Sequence, residues 1–232
     1  MTEKQIEELI QKLNRKELKE ELIFKRRISK NVFVAKIWNS LPEEKSITEC
    51  IKSERWFLIQ NDSNKFIGAI LDCVEDLHWF IQKGYRGKSY LSNALRESII
   101  PYLFDDKGFE YERVVQRITI NKKKLEAKNF KASKNVAIKL GFEYVESKNG
   151  KEIFKLEKNN LNWQHQNLKE INTLITEERI NQLKEKIFYC HNMLQYISDE
   201  ILMSCGDYGD LMEITKKVND YSKEINRICS ET

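Results

Sequence analysis

With 232 residues, 41% hydrophobic and 33% charged, the chain is long enough for one domain of ordinary size plus an accessory piece under a heavily charged surface. A formal net charge of +4 is too small to imply nucleic-acid binding unless concentrated, and no apolar run approaches the ~20 residues of a membrane span. Five scattered cysteines without a C-x-x-C pair and three histidines without ligand spacing argue against a disulfide framework and a metal site. With an N-terminus that is charged throughout, they lead us to expect a cytoplasmic protein with reduced thiols and no metal.

In chain order, Ile6, Leu9, Ile10, Leu13 and Leu18 put apolar groups on one face of a leading helix within residues 1–21. Residues 22–29 read as a first strand, although Lys25, Arg26 and Arg27 make it a poor one. Residues 31–40 and 42–53 read as two short helices, with Pro42 suited to a first helical turn. Strands over 56–60 and 66–71 flank the turn cluster Asn61-Asp62-Ser63-Asn64. Val74-Glu75-Asp76 then leads tightly into a buried strand over 77–81. A turn carrying Gly84 and Gly87 follows, and an amphipathic helix opens near Ser89 and runs toward Phe104. Beyond it come a strand over 113–121 and a helix ending at Gly141. Strands over 142–146 and 152–156 flank the Lys148-Asn149-Gly150 turn. These elements predict an α+β domain over residues 22–158.

Residues 159–232 follow a different rule. Ile180, Leu183, Ile187, Cys190, Leu194, Ile197 and Ile201 recur at spacings of 3,4,3,4,3,4, and Leu211, Ile214, Val218, Tyr221, Ile225 and Ile228 at 3,4,3,4,3. Between them lies a Gly-containing turn, so the two heptad stripes specify an antiparallel, coiled-coil-like helical hairpin. Each seam is narrow, which leaves apolar surface for the rest of the chain, a helical partner or a second copy. A homodimer through residues 176–229 is the expectation.

The segment at 77–104 carries the most chemistry. Strand, glycine-bearing turn and helix converge unpaired N–H groups and a positive dipole end on one point, and Arg86 and Lys88 add charge, which makes an anion site. Gly87-Lys88-Ser89 matches the end of a P-loop, G-x-x-x-x-G-K-[ST], and an NTP-binding protein is one reading. That pattern wants glycine at 82, where this chain has Gln82, and the downstream strands look like a meander.

Tyr85-Arg86-Gly87-Lys88-Ser89-Tyr90-Leu91 more closely resembles the pyrophosphate loop of the GNAT N-acyltransferases, written Y-R-G-K-G-x-G/A. Ser89 replaces the first loop glycine and Leu91 the final Gly or Ala. A second stretch, Ser133-Lys134-Asn135-Val136-Ala137-Ile138-Lys139-Leu140-Gly141-Phe142, resembles the family's fourth helix and the turn that leaves it. The resemblance covers residues 22–158 and implies a mixed, mostly antiparallel sheet flanked by helices. It implies an acetyl-CoA-dependent N-acetyltransferase acting by direct transfer to an amine on a small molecule or a protein.

The resemblance also implies the site. Arg86, Gly87, Lys88, Ser89, Tyr90 and Leu91 would hold the cofactor diphosphate, and a backbone N–H near Ile81 would meet the thioester oxygen. Glu75 matches the carboxylate that starts the family's fourth strand and acts as base, with Asp76 and His78 as alternatives. The tyrosine that protonates the leaving thiolate in many relatives is replaced by Ala137. Ser133 stands where the branch resembling the ribosomal-protein alanine acetyltransferases has a serine. It either hydrogen-bonds the sulfur or pantetheine, or caps a helix. Six lysines between 122 and 134, against one acid, make a local cationic excess for an acidic substrate or the cofactor's 3′-phosphate, or else a solvated loop. Because Ala137 replaces that tyrosine and Leu91 stands in the loop, a GNAT-like binding module that does not turn over is the other reading.

Overall fold

The computed structural model describes residues 3–42, 53–74, 76–105, 112–161, 175–207 and 209–230. Two compact units divide it, Met1–Ile171 and Asn172–Thr232. No helix among the described residues is long and apolar enough to cross a membrane.

In the first unit, helix α1 (Glu3–Arg15) precedes an antiparallel meander of β1 (Ile23–Ser29), β2 (Val32–Trp38), β3 (Ser53–Gln60), β4 (Phe66–Asp72) and β5 (Leu77–Ile81), paired in that order. A helical segment follows as α2 (Tyr90–Ala94), a π-helical turn at Leu95–Ile99 and α3 (Ile100–Asp105). Pro101 has no N–H to return to residue 97 and would crowd its carbonyl, and the wider turn just before it makes the room. β6 (Val115–Asn121), α4 (Ala127–Lys139), β7 (Glu143–Lys148) and β8 (Lys151–Glu157) complete the unit, the strands forming an antiparallel sheet in the order β6-β8-β7. Among the described residues the two sheets are joined by a single parallel bridge, Asp76 to Arg117. The architecture is the expected mixed, mostly antiparallel α+β arrangement.

One expected helix is a strand. Residues 31–40 hold β2, which pairs with β1 on one side and β3 on the other. Val32, Phe33, Val34, Ala35 and Ile37 are all buried, on both faces, so the polar alternation that marks a strand in a sequence is missing. The signal left was the β-branched and aromatic composition of Val32-Phe33-Val34. Of the second expected helix, residues 43–52 lie outside the described residues, and Ser53 opens β3.

Each face of the first sheet has its own core. On one, Phe57, Ile59, Ile67, Ile70, Leu77 and Ile81 meet Leu95, Ile99 and Leu103 of the helical segment and Ala137 and Leu140 of α4. On the other, Ile6, Ile10 and Leu13 of α1 meet Trp56, Leu58, Ala69, Leu71 and Phe80. Burying those three side chains contributes about 1.5–3 kcal/mol each before entropy is counted. Asn14 pins the end of α1 by exchanging two 2.8 Å hydrogen bonds with the backbone of Phe66. Side chains alternate along a strand, so Leu77, Trp79 and Ile81 of β5 face the first core, and Asp76, His78 and Phe80 the second.

The second unit is the expected hairpin, α5 (Glu177–Cys205) and α6 (Leu211–Ser230). Thr176 caps α5 by accepting the Arg179 N–H at 3.2 Å, and Gly206 closes it with an N–H to the Leu202 carbonyl. The seam keeps Leu183, Ile187 and Leu194 of the expected stripe on α5 and Leu211, Val218 and Ile225 on α6, all half-buried, and shifts by one residue at the positions between them. Ser198, Thr215 and Ser222 are buried and His191 Nδ1 lies 3.0 Å from the Thr215 carbonyl oxygen, whereas Ile197, Ile201, Ile214 and Tyr221 are exposed. Small side chains let two helix backbones approach closely, and at the shifted positions the seam settles on them, beside the retained half of the apolar stripe.

Candidate active site

The opening in the sheet comes from the hydrogen-bond pattern of β5. Gln82 N–H donates to the Ile67 carbonyl at 2.9 Å, and antiparallel ladders alternate, so the even-numbered residues of β5 spend their amides on β4. The amides of Leu77, Trp79 and Ile81 point to the opposite edge, toward β6. Asp76 fastens the near end there, its Oδ1 accepting the Thr119 N–H at 2.8 Å. Past that point no further bridge joins β5 to β6 among the described residues, and the strand edge at Trp79 and Ile81 is open.

The open edge leads straight into the anion-binding turn. A 3-10 turn over Lys83–Tyr85 is followed by Gly87 at φ +74°, Ser89 at φ +61° and the start of α2. Arg86 does not project into the turn. Its Nε donates to the Ile81 carbonyl at 2.8 Å and its Nη1 to Asn129 Oδ1 at 3.1 Å, which braces the turn against the first turn of α4. Lys88 lies 5.6 Å from the centre of the Tyr85 ring, and Tyr85 packs edge-on to Tyr90. Leu91, which replaces the motif's final Gly or Ala, packs against the first core. The P-loop reading fails on topology: β5 belongs to an antiparallel meander, whereas that motif's strand lies in a parallel, strand–helix-alternating sheet.

Ser89 holds a backbone conformation that costs a non-glycine residue roughly 1 kcal/mol, at the position where the motif has glycine. Ser89→Gly is therefore expected to raise stability by up to about 1 kcal/mol in a urea titration, against glycine's usual penalty.

Titratable and hydroxyl groups form two pairs on opposite faces of β5. On the α1 face, His78 Nε2 lies 3.6 Å from Asp76 Oδ2, with the imidazole half exposed. On the other face, Trp79 Nε1 donates to Ser133 Oγ at 3.3 Å, tying β5 to α4 across the opening. Ser133 sits in the middle of α4, so the helix-cap reading does not hold, and its hydroxyl proton is left to donate. Glu75 lies outside the described residues. Ala137, in the position of the family's tyrosine, is fully buried in the first core. Cys73 is close to Asp76, but burial, then Asp76, Asp72 and Glu54, push its thiol up, so it is a protonated group and no nucleophile at neutral pH. In the lysine run, Lys134 pairs with Glu152 at 2.8 Å, while Lys122, Lys123, Lys124, Lys128 and Lys131 are exposed. The Arg86–Asn129 bond sets the first turns of α4 beside the anion-binding turn.

Sequence reasoning missed the group that closes the joined end of the two sheets. The buried Asp72 carboxylate takes Arg55 from β3 and Arg113 from the segment before β6, the latter at 3.2 and 3.3 Å. Arg113 also donates to Gln116 Oε1 at 2.6 Å, and Asp72 Oδ1 accepts the Val74 N–H at 3.0 Å. A charged residue at the border of an apolar strand, as at Arg55 and Asp72, was the available signal.

No family model and no curated protein matches this chain. Among solved structures, it is similar to two of the Campylobacter jejuni N-acetyltransferase PseH, one of them in complex with acetyl coenzyme A. Identity is 15% and the TM-score 0.33, over 45% of this chain and 68% of that one, in both structures. A likeness this faint carries no weight for function, and none points to the ribosomal-protein branch.

Proposed function

We propose that residues 22–158 form an acetyl-CoA-dependent N-acetyltransferase of the GNAT type, which moves an acetyl group directly to an amine. One observation carries the reading: the open edge of β5, with the Trp79 and Ile81 amides, runs directly into the left-handed Gly87–Ser89 turn that starts the Tyr90 helix. The turn fits a diphosphate, since a Cβ built on Gly87 meets nothing within 4 Å and Lys88 flanks the space. An extended amide-bearing arm fits the strand edge as an added strand, and the Ile81 or Trp79 N–H donates to a carbonyl oxygen on which charge develops. Acetyl-CoA supplies such an arm, a diphosphate and an activated thioester carbonyl.

The remaining roles fall to the two pairs flanking the opening. Ser133, already accepting the Trp79 indole N–H, directs its own proton toward the leaving sulfur. Glu75, or failing it Asp76 or His78, removes the proton of the incoming amine. The exposed lysines of 122–131 attract a phosphate or an acidic acceptor. Acceptors of this chemistry include a protein N-terminus, a lysine, a polyamine or another small amine. Buried Ala137 in place of the acid favours a second reading, a binding module that retains the cofactor site without turnover.

Calorimetric titration with acetyl-CoA and with ATP tests the assignment. Micromolar binding of acetyl-CoA alone is the expected result, and equal heats for both, or none, would reject it. Release of free thiol from acetyl-CoA in the presence of an amine panel then separates the enzyme from the binding module. If Glu75 is the base, Glu75→Gln is expected to slow that release by about 10²-fold or more with cofactor affinity unchanged. An unchanged rate would move the role to Asp76 or His78.

A further inference from the structure

We infer that Asp76 is the positioning residue that opens the sheet: its side chain takes the place of a backbone carbonyl in the β5–β6 ladder and ends the pairing short of Trp79. The wedge itself is independent of the acyl-transfer reading, and what it admits to the opening rests on that reading. Hydrogen-bond parity on both strands carries the inference. On β5 the even-numbered residues bond β4, with the Gln82 N–H on the Ile67 carbonyl and the Cys73 N–H on the Asp76 carbonyl, each at 2.9 Å. On β6 the even-numbered residues bond β8, in line with the Lys158 N–H on the Val114 carbonyl and the Lys122 N–H on the Gly150 carbonyl, again at 2.9 Å. The odd-numbered peptide groups of the two strands therefore face one another. The parallel bridge of Asp76 and Arg117 sets their register. A regular ladder would continue from it with the Thr119 N–H on the Leu77 carbonyl, then the Trp79 N–H on the Thr119 carbonyl and the Ile81 N–H on the Asn121 carbonyl.

The first of those bonds is intercepted. Thr119 N–H donates instead to Asp76 Oδ1, at 2.8 Å. Oδ2 of the same carboxylate faces His78 Nε2 at 3.6 Å, which keeps Oδ1 turned toward β6. Paired strands run about 4.8 Å apart, and a carboxylate between the Thr119 amide and β5 holds the two backbones wider than that. Beyond it no bridge joins β5 to β6 among the described residues. Thr119 keeps a partner, so the splay begins without an orphaned amide. The amides set free are those of Trp79 and Ile81, the two that an arriving extended arm would use. An oxygen acceptor in this place is all that the wedge requires, and its charge is not needed.

Amide hydrogen exchange on the full chain, followed by NMR, tests this. In Asp76→Ala the Thr119 N–H returns to the Leu77 carbonyl and the strands close, so the Trp79 and Ile81 amides are expected to exchange about tenfold or more slowly than in the wild type. Asp76→Asn keeps an oxygen acceptor in the same place and is expected to exchange like the wild type. Should circular dichroism show that Asp76→Ala does not fold, Asp76→Ser, whose hydroxyl stops one bond short of the carboxylate oxygens, takes its place. Acetyl-CoA affinity measured by calorimetry should follow the same order. It is expected to stay within a few-fold of wild type for Asp76→Asn and to fall about tenfold or more for Asp76→Ala, where the arm must displace ladder bonds. Trp79 and Ile81 amides that stay as fast in Asp76→Ala as in the wild type, or an Asp76→Asn as closed as Asp76→Ala, would overturn the inference. The expected exchange pattern with acetyl-CoA binding absent, or indifferent to the variants, would uphold the wedge and reject only the placing of the cofactor on this edge.

Discussion

Asp72→Ala is expected to destabilise the first unit by about 3–5 kcal/mol, the range for removing one member of a buried ionic group. The carboxylate is 1% exposed, and the Arg55 and Arg113 side chains that share it are 8% and 7% exposed. Taking it away leaves two desolvated guanidinium groups facing one another at the joined end of the sheets, where repulsion replaces attraction. Arg55→Lys, which keeps the charge and loses the fork, should cost clearly less. All four tryptophans, Trp38, Trp56, Trp79 and Trp163, lie within Met1–Ile171. Tryptophan fluorescence in a urea titration therefore reads the unfolding of that unit. A loss under about 1 kcal/mol would mean that water or rearranged neighbours replace the carboxylate, and that the closed end of the opening does not depend on it.

The same comparison explains what the sequence revealed. β5, the turn at 83–89 and the helix after it were legible because their signals are local: an apolar run, small residues, then helical periodicity. Gly141, at φ +84°, closes α4 for the same reason. β2 was not legible, since a strand covered on both faces has no alternation to read. The Asp72 group was hidden for a different reason. Its bonds join residues 17 and 41 positions apart, and only the pairing of β3 with β4 and the approach of Arg113 bring them together. In the hairpin the heptad stripes marked the helices and half of their contact correctly, and missed the other half by one residue, where Ser198 and Thr215 permit a closer approach than Ile197 and Ile214 do. Ser133 was legible as a site candidate and Trp79 only as part of the strand over 77–81. Their hydrogen bond across the opening was not, because it depends on where β6 parts from β5.

Gly87→Asp is expected to weaken acetyl-CoA binding by roughly thirtyfold or more while the fold survives. The position suits such a probe because Gly87 is exposed, at φ +74°, and an added Cβ meets nothing within 4 Å. Aspartate is among the residues that tolerate this left-handed region best, at a cost of roughly 1 kcal/mol. The new charge stands where a diphosphate would lie. Two unit charges 4 Å apart interact by about 4 kcal/mol at an effective dielectric constant of about 20, and solvent and salt reduce that by roughly half. The remaining ~2 kcal/mol corresponds to the thirtyfold loss. Gly87→Ala separates charge from backbone: its conformational cost is at least as large as aspartate's, without the carboxylate, so its affinity should stay within a few-fold of wild type. Raising the salt should narrow the gap between the two variants, since the difference between them is a screened repulsion. Calorimetry that finds Gly87→Asp binding as tightly as Gly87→Ala would remove the diphosphate from this turn, and with it the observation on which the acyltransferase reading rests.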